Sequence, residues 1–290
     1  MSKVWLITGS GNGLGRDIAE AALGSGDRVV AAARRVEELD SLVKQYGERI
    51  KPVTLDVRDE AAAKAAVQTA IDTYGRLDVL VNNAGYGQFG PFEQMSPEDF
   101  KDVMDVCFYG VVYLTRAAIP VMRQQRSGYI FQVSSIGGRL AFPGNSPYHA
   151  AKWAVGGFSD SVGAEVAPFG VKVCTLEPGG IRTNWANRAT EKPVTLLPDY
   201  EPSVGAIQKL FATIRGKQES DPKRIAGVVV MLANNEDVPK RLIMGRDSEK
   251  RLELVETARA EEAKKWREVT VATVYPDAPV IPGLMETATR

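Results

Sequence analysis

The chain has 290 residues, 44% hydrophobic and 25% charged, the balance of a globular protein with apolar surface for one large or two small cores. Its 36 basic and 36 acidic side chains cancel, which excludes a global field drawing it to nucleic acid or a membrane surface. Two cysteines, Cys107 and Cys174, and a single histidine, His149, exclude a disulfide framework and a multi-histidine zinc site, so no metal is expected. No apolar run approaches the roughly 20 residues that span a bilayer. The opening "MSKVWLITG" enters a strand pattern with no secretory leader, and the cytoplasm is the expected compartment.

The first predicted strand, Val4–Thr8, feeds "TGSGNGLG", four glycines within eight residues, and a helix over Gly13–Ser25 follows. Such a loop lets another molecule approach the backbone, and a helix start behind it favours an anion. The dinucleotide pattern G-x-G-x-x-G does not fit, because Leu14 stands where its third glycine belongs. T-G-x-x-x-G-x-G does, through Thr8, Gly9, Gly13 and Gly15. The second strand, Arg28–Ala33, ends with Ala33 where a site selective for NAD would place a carboxylate, and Arg34 and Arg35 follow. A guanidinium grips a 2′-phosphate that a carboxylate would repel, so NADP is the expected cofactor, preferred over NADH.

A helix over Val36–Tyr46 leads to a third strand, Ile50–Val57, ending in Asp56 and Val57, where a carboxylate can accept from an adenine amino group. Asp59 then caps a helix to Tyr74. The fourth strand, Leu77–Asn82, runs into "NNAG", Asn82–Gly85. Ser96 and Pro97 open a long helix, Pro97–Arg126. The fifth strand, Tyr129–Ser134, is followed by Ser135, and a helix over Pro147–Pro168 carries Tyr148 and Lys152 on one face. A tyrosine is a poor base at neutral pH, and a nearby ammonium lowers its pKa. Ser135 could hold a carbonyl oxygen while Tyr148 donates the proton.

After the strand Val171–Glu177, residues 183–216 lack a clean period and are a candidate lid. A helix over Asp221–Ala233 and a strand over Arg241–Met244 complete the pattern, and a charged tail follows. Strands alternating with helices imply a doubly wound parallel sheet in a three-layer α/β/α sandwich. One dinucleotide-binding and catalytic domain, 1–245, is expected, with a helical extension over 246–290.

Taken together, the glycine loop, N-N-A-G, Ser135, Y-x-x-x-K at Tyr148–Lys152 and P-G-x-x-x-T at Pro178–Thr183 resemble the short-chain dehydrogenase/reductase family, over roughly residues 3–245. The resemblance implies a seven-stranded Rossmann-type sheet and hydride transfer between carbonyl and alcohol. It implies that Gly9, Ser10, Asn12, Gly13, Leu14 and Gly15 line the pyrophosphate, and that Asp56 and Val57 meet the adenine. Asn83, Ala84 and Gly85 should meet the ribose. Lys152 should bind the nicotinamide ribose, and Pro178, Gly179, Ile181 and Thr183 should meet the nicotinamide. One departure stands out: Cys107 replaces the family's usual asparagine in "DVCFYG".

The expected activity is an NADP-dependent interconversion of a ketone or aldehyde and an alcohol, catalysed by Ser135, Tyr148 and Lys152. Phe142 and Trp185 are candidate substrate contacts, with Tyr86, Phe89 and Leu140 nearby and a hydrophobic substrate implied. His149 reads as structural or solvent-facing. A homodimer or homotetramer is expected, with neither nucleic acid nor membrane as partner. The alternatives are an NAD-dependent alcohol or steroid dehydrogenase and a non-catalytic NADP-binding redox sensor, the latter drawing on Cys107.

Overall fold

Every residue of the first strand, β1 (Val4–Thr8), is buried. Its side chains alternate between two cores: Trp5 and Ile7 join one, Val4 and Leu6 the other. A strand buried on both faces belongs in a parallel sheet with helices on either side. That is the architecture of the computed structural model, which describes residues 2–183, 185 and 194–278.

Six strands join β1: β2 (Arg28–Ala33), β3 (Ile50–Thr54), β4 (Val79–Asn82), β5 (Gly128–Val133), β6 (Val171–Pro178) and β7 (Arg241–Met244). All pair in parallel, in the order β3-β2-β1-β4-β5-β6-β7. Leu6 faces Val30 on one side and Leu80 on the other, which fixes the register at the centre. The order reverses between β1 and β4, so a crevice opens there at the carboxyl ends of the strands.

On one face, α1 (Gly13–Gly24) and α8 (Pro222–Ala233) bury Ile18, Leu23, Ile225 and Val229 against the sheet, and α2 (Asp40–Tyr46) adds Leu42. On the other, α3 (Glu60–Tyr74) and α5 (Gly110–Gln125) bury Ala66, Val67, Leu114 and Met122. Two expected caps form: Asp59 accepts from the N–H groups of Ala61 and Ala62, and Ser96 from that of Asp99.

Several strand ends shift by one or two residues from the sequence reading, and three larger differences stand out. Edge strand β3 ends at Thr54, which leaves Asp56 and Val57 in the turn beyond it. Val36–Leu39 forms a tight 3₁₀ turn before α2. The long helix carries a π-helical turn, Asp105–Tyr109, between α4 (Pro97–Met104) and α5. Pro97–Gln125 is also long and apolar enough by composition to cross a bilayer, which corrects the expectation of no such segment. Here its Leu114, Ala118 and Met122 are fully buried in the second core.

The chain divides into two compact units, 1–249 and 250–290. The C-terminal part of the chain contains the helix Arg246–Lys265 and a short helix, Arg267–Val271. Of the candidate lid, residues 184 and 186–193 lie outside those described; the rest includes a helix, α7 (Ala206–Ile214), preceded by two short turns.

Candidate active site

Thr8, at the carboxyl end of β1, ties the glycine loop to the N-N-A-G turn. Its hydroxyl accepts from the N–H groups of Asn83 (2.9 Å) and Ala84 (3.0 Å), and the Asn83 amide donates to the Thr8 carbonyl (2.9 Å). Gly9 has φ +68°, a left-handed conformation that disfavours any side chain. A Cβ on Gly15 would crowd the Gly9 carbonyl and the Asn83 amide, each at 2.4 Å. Ser10 is used within the fold, its hydroxyl donating to the Ile7 carbonyl. Asn12 precedes α1 without capping it; its amide points to Glu38 at 3.4 Å. The first N–H groups of α1 thus carry no side-chain cap, at the end where the helix dipole favours an anion. Thr183 stands across the loop, its Cβ 3.9 Å from where a Cβ on Gly13 would lie. An uncapped helix start behind a glycine cradle, at the sheet's switch point, fits a dinucleotide pyrophosphate.

Around that loop, Arg34 and Arg35 are exposed just past β2. Arg35 forms an ion pair with Glu38, whose carboxylate fills the space that a side chain on Gly11 would need. Asp56 lies in the turn just past β3 rather than at the end of the strand itself. The Arg58 guanidinium, bonded to it at 3.0 and 2.6 Å, holds its carboxyl below the usual range, and Arg34 adds a smaller pull. Val57 is buried beside it. Gly179 donates to the Met244 carbonyl at 3.1 Å, and Ile181 bridges to Ser220.

Ser135, Tyr148 and Lys152 come together at the ends of β5 and of α6 (Ser146–Val166). The Ser135 oxygen accepts from the Gly137 N–H at 3.0 Å, and its hydroxyl reaches the Pro178 carbonyl at 3.5 Å. The Lys152 ammonium donates to the Val133 carbonyl at 2.7 Å and lies 5.6 Å from the centre of the Tyr148 ring. The direction of the tyrosine shift differs from expectation. Burial pushes the Tyr148 phenol well above its ordinary value, and only the Ser135 hydroxyl opposes this. Lys152 is itself buried, which lowers its pKa. Its strong hydrogen bond goes to a carbonyl rather than to the phenol.

Cys107 occupies the π-helical turn, fully buried, and its thiol donates to the Tyr86 carbonyl at 3.2 Å. Burial raises the thiol pKa, with Lys152 opposing in part. It is a protonated donor, not a reactive thiolate.

His149 is buried rather than solvent-facing. Its Nδ1 lies 2.9 Å from the Gly137 carbonyl, and the Phe142 N–H donates to its Nε2 at 3.3 Å. One neutral tautomer, with the proton on Nδ1, satisfies both contacts. His149 therefore couples the Ser135 loop to Phe142, which the sequence did not reveal. Phe142 meets the His149 ring edge-on at 4.4 Å and stacks near Phe89 at 6.2 Å. Phe211 from α7 packs 5.0 Å from Phe89, and Trp185 lies 5.2 Å from Tyr148. These rings form an aromatic wall beside the Tyr148 phenol. Phe211 and Glu38 carried no motif, so periodicity and spacing passed over them.

A family model described as short chain dehydrogenase matches residues 3–194. The chain belongs to that family. As a short-chain dehydrogenase/reductase it is an NAD(P)-dependent oxidoreductase. It is 44% identical over 274 residues to the oxidoreductase BOA17 of Botryotinia fuckeliana, covering 94% of this chain and all of that one. A short-chain dehydrogenase structure from Streptomyces avermitilis superposes with a TM-score of 0.87 at 36% identity, over 95% of this chain and all of the other. The 3-ketoacyl-(acyl-carrier-protein) reductase of Brucella melitensis, solved with NADH, gives 0.72 at 26% identity, over 83% and 96%.

Proposed function

We propose that this short-chain dehydrogenase/reductase uses NADPH to reduce a hydrophobic ketone or aldehyde to its alcohol. The observation that carries the reading is the Ser135–Tyr148–Lys152 cluster beneath an aromatic wall. When bound, the reduced nicotinamide supplies a hydride to the substrate's carbonyl carbon. The Ser135 hydroxyl orients the carbonyl oxygen, and Tyr148 gives it a proton. Burial keeps Tyr148 protonated across the neutral range, the form that donates, and so favours the reducing direction. The Lys152 charge, 5.6 Å from the ring centre, stabilises the phenolate left behind.

Support for NADPH comes from Ala33 in place of an acid, with Arg34 exposed beyond it and close enough to act on Asp56. The NAD-dependent reading draws on the structural relative solved with NADH. The sensor reading loses its motive, since Cys107 is buried and its thiol stays protonated. Copies of the chain pair through the helices Pro97–Gln125 and Ser146–Val166, where Tyr109 and Trp153 leave aromatic surface exposed.

Oxidation of NADPH and of NADH, followed by absorbance across a panel of aryl and alicyclic ketones, tests the proposal. Turnover with NADPH is expected, and Tyr148→Phe should lower it by about 10²–10⁴-fold with melting unchanged. Turnover confined to NADH would reverse the cofactor assignment, and activity indifferent to Tyr148→Phe would remove the mechanism.

A further inference from the structure

Asn145 immediately precedes α6, three residues before Tyr148, yet its side chain does not cap the helix. The residue is completely buried, and neither its amide nitrogen nor its amide oxygen has a hydrogen-bond partner among the described residues. Buried polar atoms are nearly always paired, so a whole amide left over asks for an explanation. Thr175 and Gln218 each leave one such atom; Asn145 leaves both.

Its surroundings point towards the substrate. A Cβ on Gly87 would lie 3.2 Å from the Asn145 amide nitrogen and 2.7 Å from the Trp185 indole. The amide and the indole thus share one notch, and that indole packs on Tyr148 at 5.2 Å and on Phe89 at 6.4 Å. Through that indole, the notch that holds the Asn145 amide adjoins the Tyr148 ring. An amide is neutral, donates through nitrogen and accepts through oxygen, which matches a hydroxyl or a second carbonyl rather than an ionised group.

We propose that Asn145 determines specificity by binding a second oxygen function, hydroxyl or carbonyl, within a few bonds of the substrate's reacting carbonyl. The proposal rests on the carbonyl-reductase reading above and narrows its substrate class to oxygenated ketones. A pocket that hydrogen-bonds a substrate oxygen rejects the analogue lacking it, because its own polar group is then left unpaired.

Benzoin and deoxybenzoin share a skeleton and an aryl ketone, and differ by one hydroxyl. With NADPH, wild type should favour benzoin, or its one-carbon-longer β-hydroxy homologue, over the deoxy counterpart by at least about tenfold in kcat/KM. Asn145→Ala should erase that preference through KM, with kcat and deoxybenzoin reduction little changed. Its melting temperature should hold or rise, because an unpaired buried amide is removed; a merely structural asparagine would lower it. Asn145→Ser should restore part of the preference. Calorimetric titration of the same ketones into enzyme loaded with NADP⁺ reads binding without turnover. A hydroxyl-dependent gain that Asn145→Ala removes upholds the proposal even if no ketone is reduced, in which case the reductase reading alone fails. Equal binding of each pair, no binding of either, or a preference that survives Asn145→Ala overturns the proposal, while turnover dependent on Tyr148 would leave the reductase reading standing.

Discussion

The two ends of the same sheet treat polar groups in opposite ways. At the amino ends of the strands, Asp27 accepts from the Lys3 N–H and the Trp5 indole, both at 2.8 Å. Asp78 accepts from the Val4 N–H at 2.9 Å and from Arg76 through paired bonds. Both carboxylates are consumed in holding the chain. At the carboxyl ends, Asn12 declines to cap α1, the Asn145 amide is unpartnered among the described residues, and Tyr148 is buried with its phenol kept neutral. The amino end is closed chemistry and the carboxyl end is open chemistry, as expected where backbone dipoles and loops converge on a ligand.

That contrast can be broken by substitution. Asp78→Ala should remove about 2–3 kcal/mol of stability by leaving a buried N–H and a guanidinium without their acceptor. Thermal melting should fall by roughly 5–10 °C, while kcat of the folded fraction holds. Loss of activity in the folded fraction would show that the two ends are coupled. Arg34→Ala acts at the open end and should leave melting alone. It should raise KM for NADPH by about 10–100-fold and barely move that for NADH, as steady-state kinetics with each cofactor would show.

His149 lies between these extremes, a structural group within the open end. Burial lowers its pKa below the ordinary 6.5, so the unfolded chain binds the proton first as pH falls. Its contribution to stability is complete above that ordinary value and is lost as pH drops from there towards the folded value. Melting curves of wild type should therefore decline more steeply below about pH 6.5 than those of His149→Gln. Parallel curves would mean that His149 does not titrate with folding. The smallest effect is expected at Cys107, where Asn is the family's usual residue. Cys107→Asn should keep or raise turnover, and a large loss with intact folding would assign the thiol a role of its own.

The fold was legible because its strands are short, β-branched and bounded by turn residues. Val4–Thr8, Arg28–Ala33 and Arg241–Met244 form over the expected residues. The structure brings Ser135, Tyr148 and Lys152 together as the resemblance carried jointly by five motifs implied, where the Y-x-x-x-K spacing alone would have left a solvated helix face. What spacing could not carry is direction and environment. The Tyr148 shift depends on how deeply the ring is buried, which only the tertiary fold decides. Phe211 reaches the aromatic wall from a helix some sixty residues beyond Tyr148, and only the tertiary fold brings it there. Nor does "DVCFYG" signal a π-helical turn, since the extra residue is a matter of hydrogen-bond register.

The outer strand β3 has a further consequence. It lies at one margin of the sheet, and its central residue is Pro52, which lacks a backbone donor; Lys51 beside it is exposed to solvent. At the opposite margin, β7 is only four residues long. A neighbouring chain seeking to extend the sheet would find a missing donor and a charge on one flank and a stub on the other, the usual safeguards against edge-to-edge aggregation. Crowded, concentrated solutions of this protein should therefore resist fibril-like association for as long as the sheet stays folded.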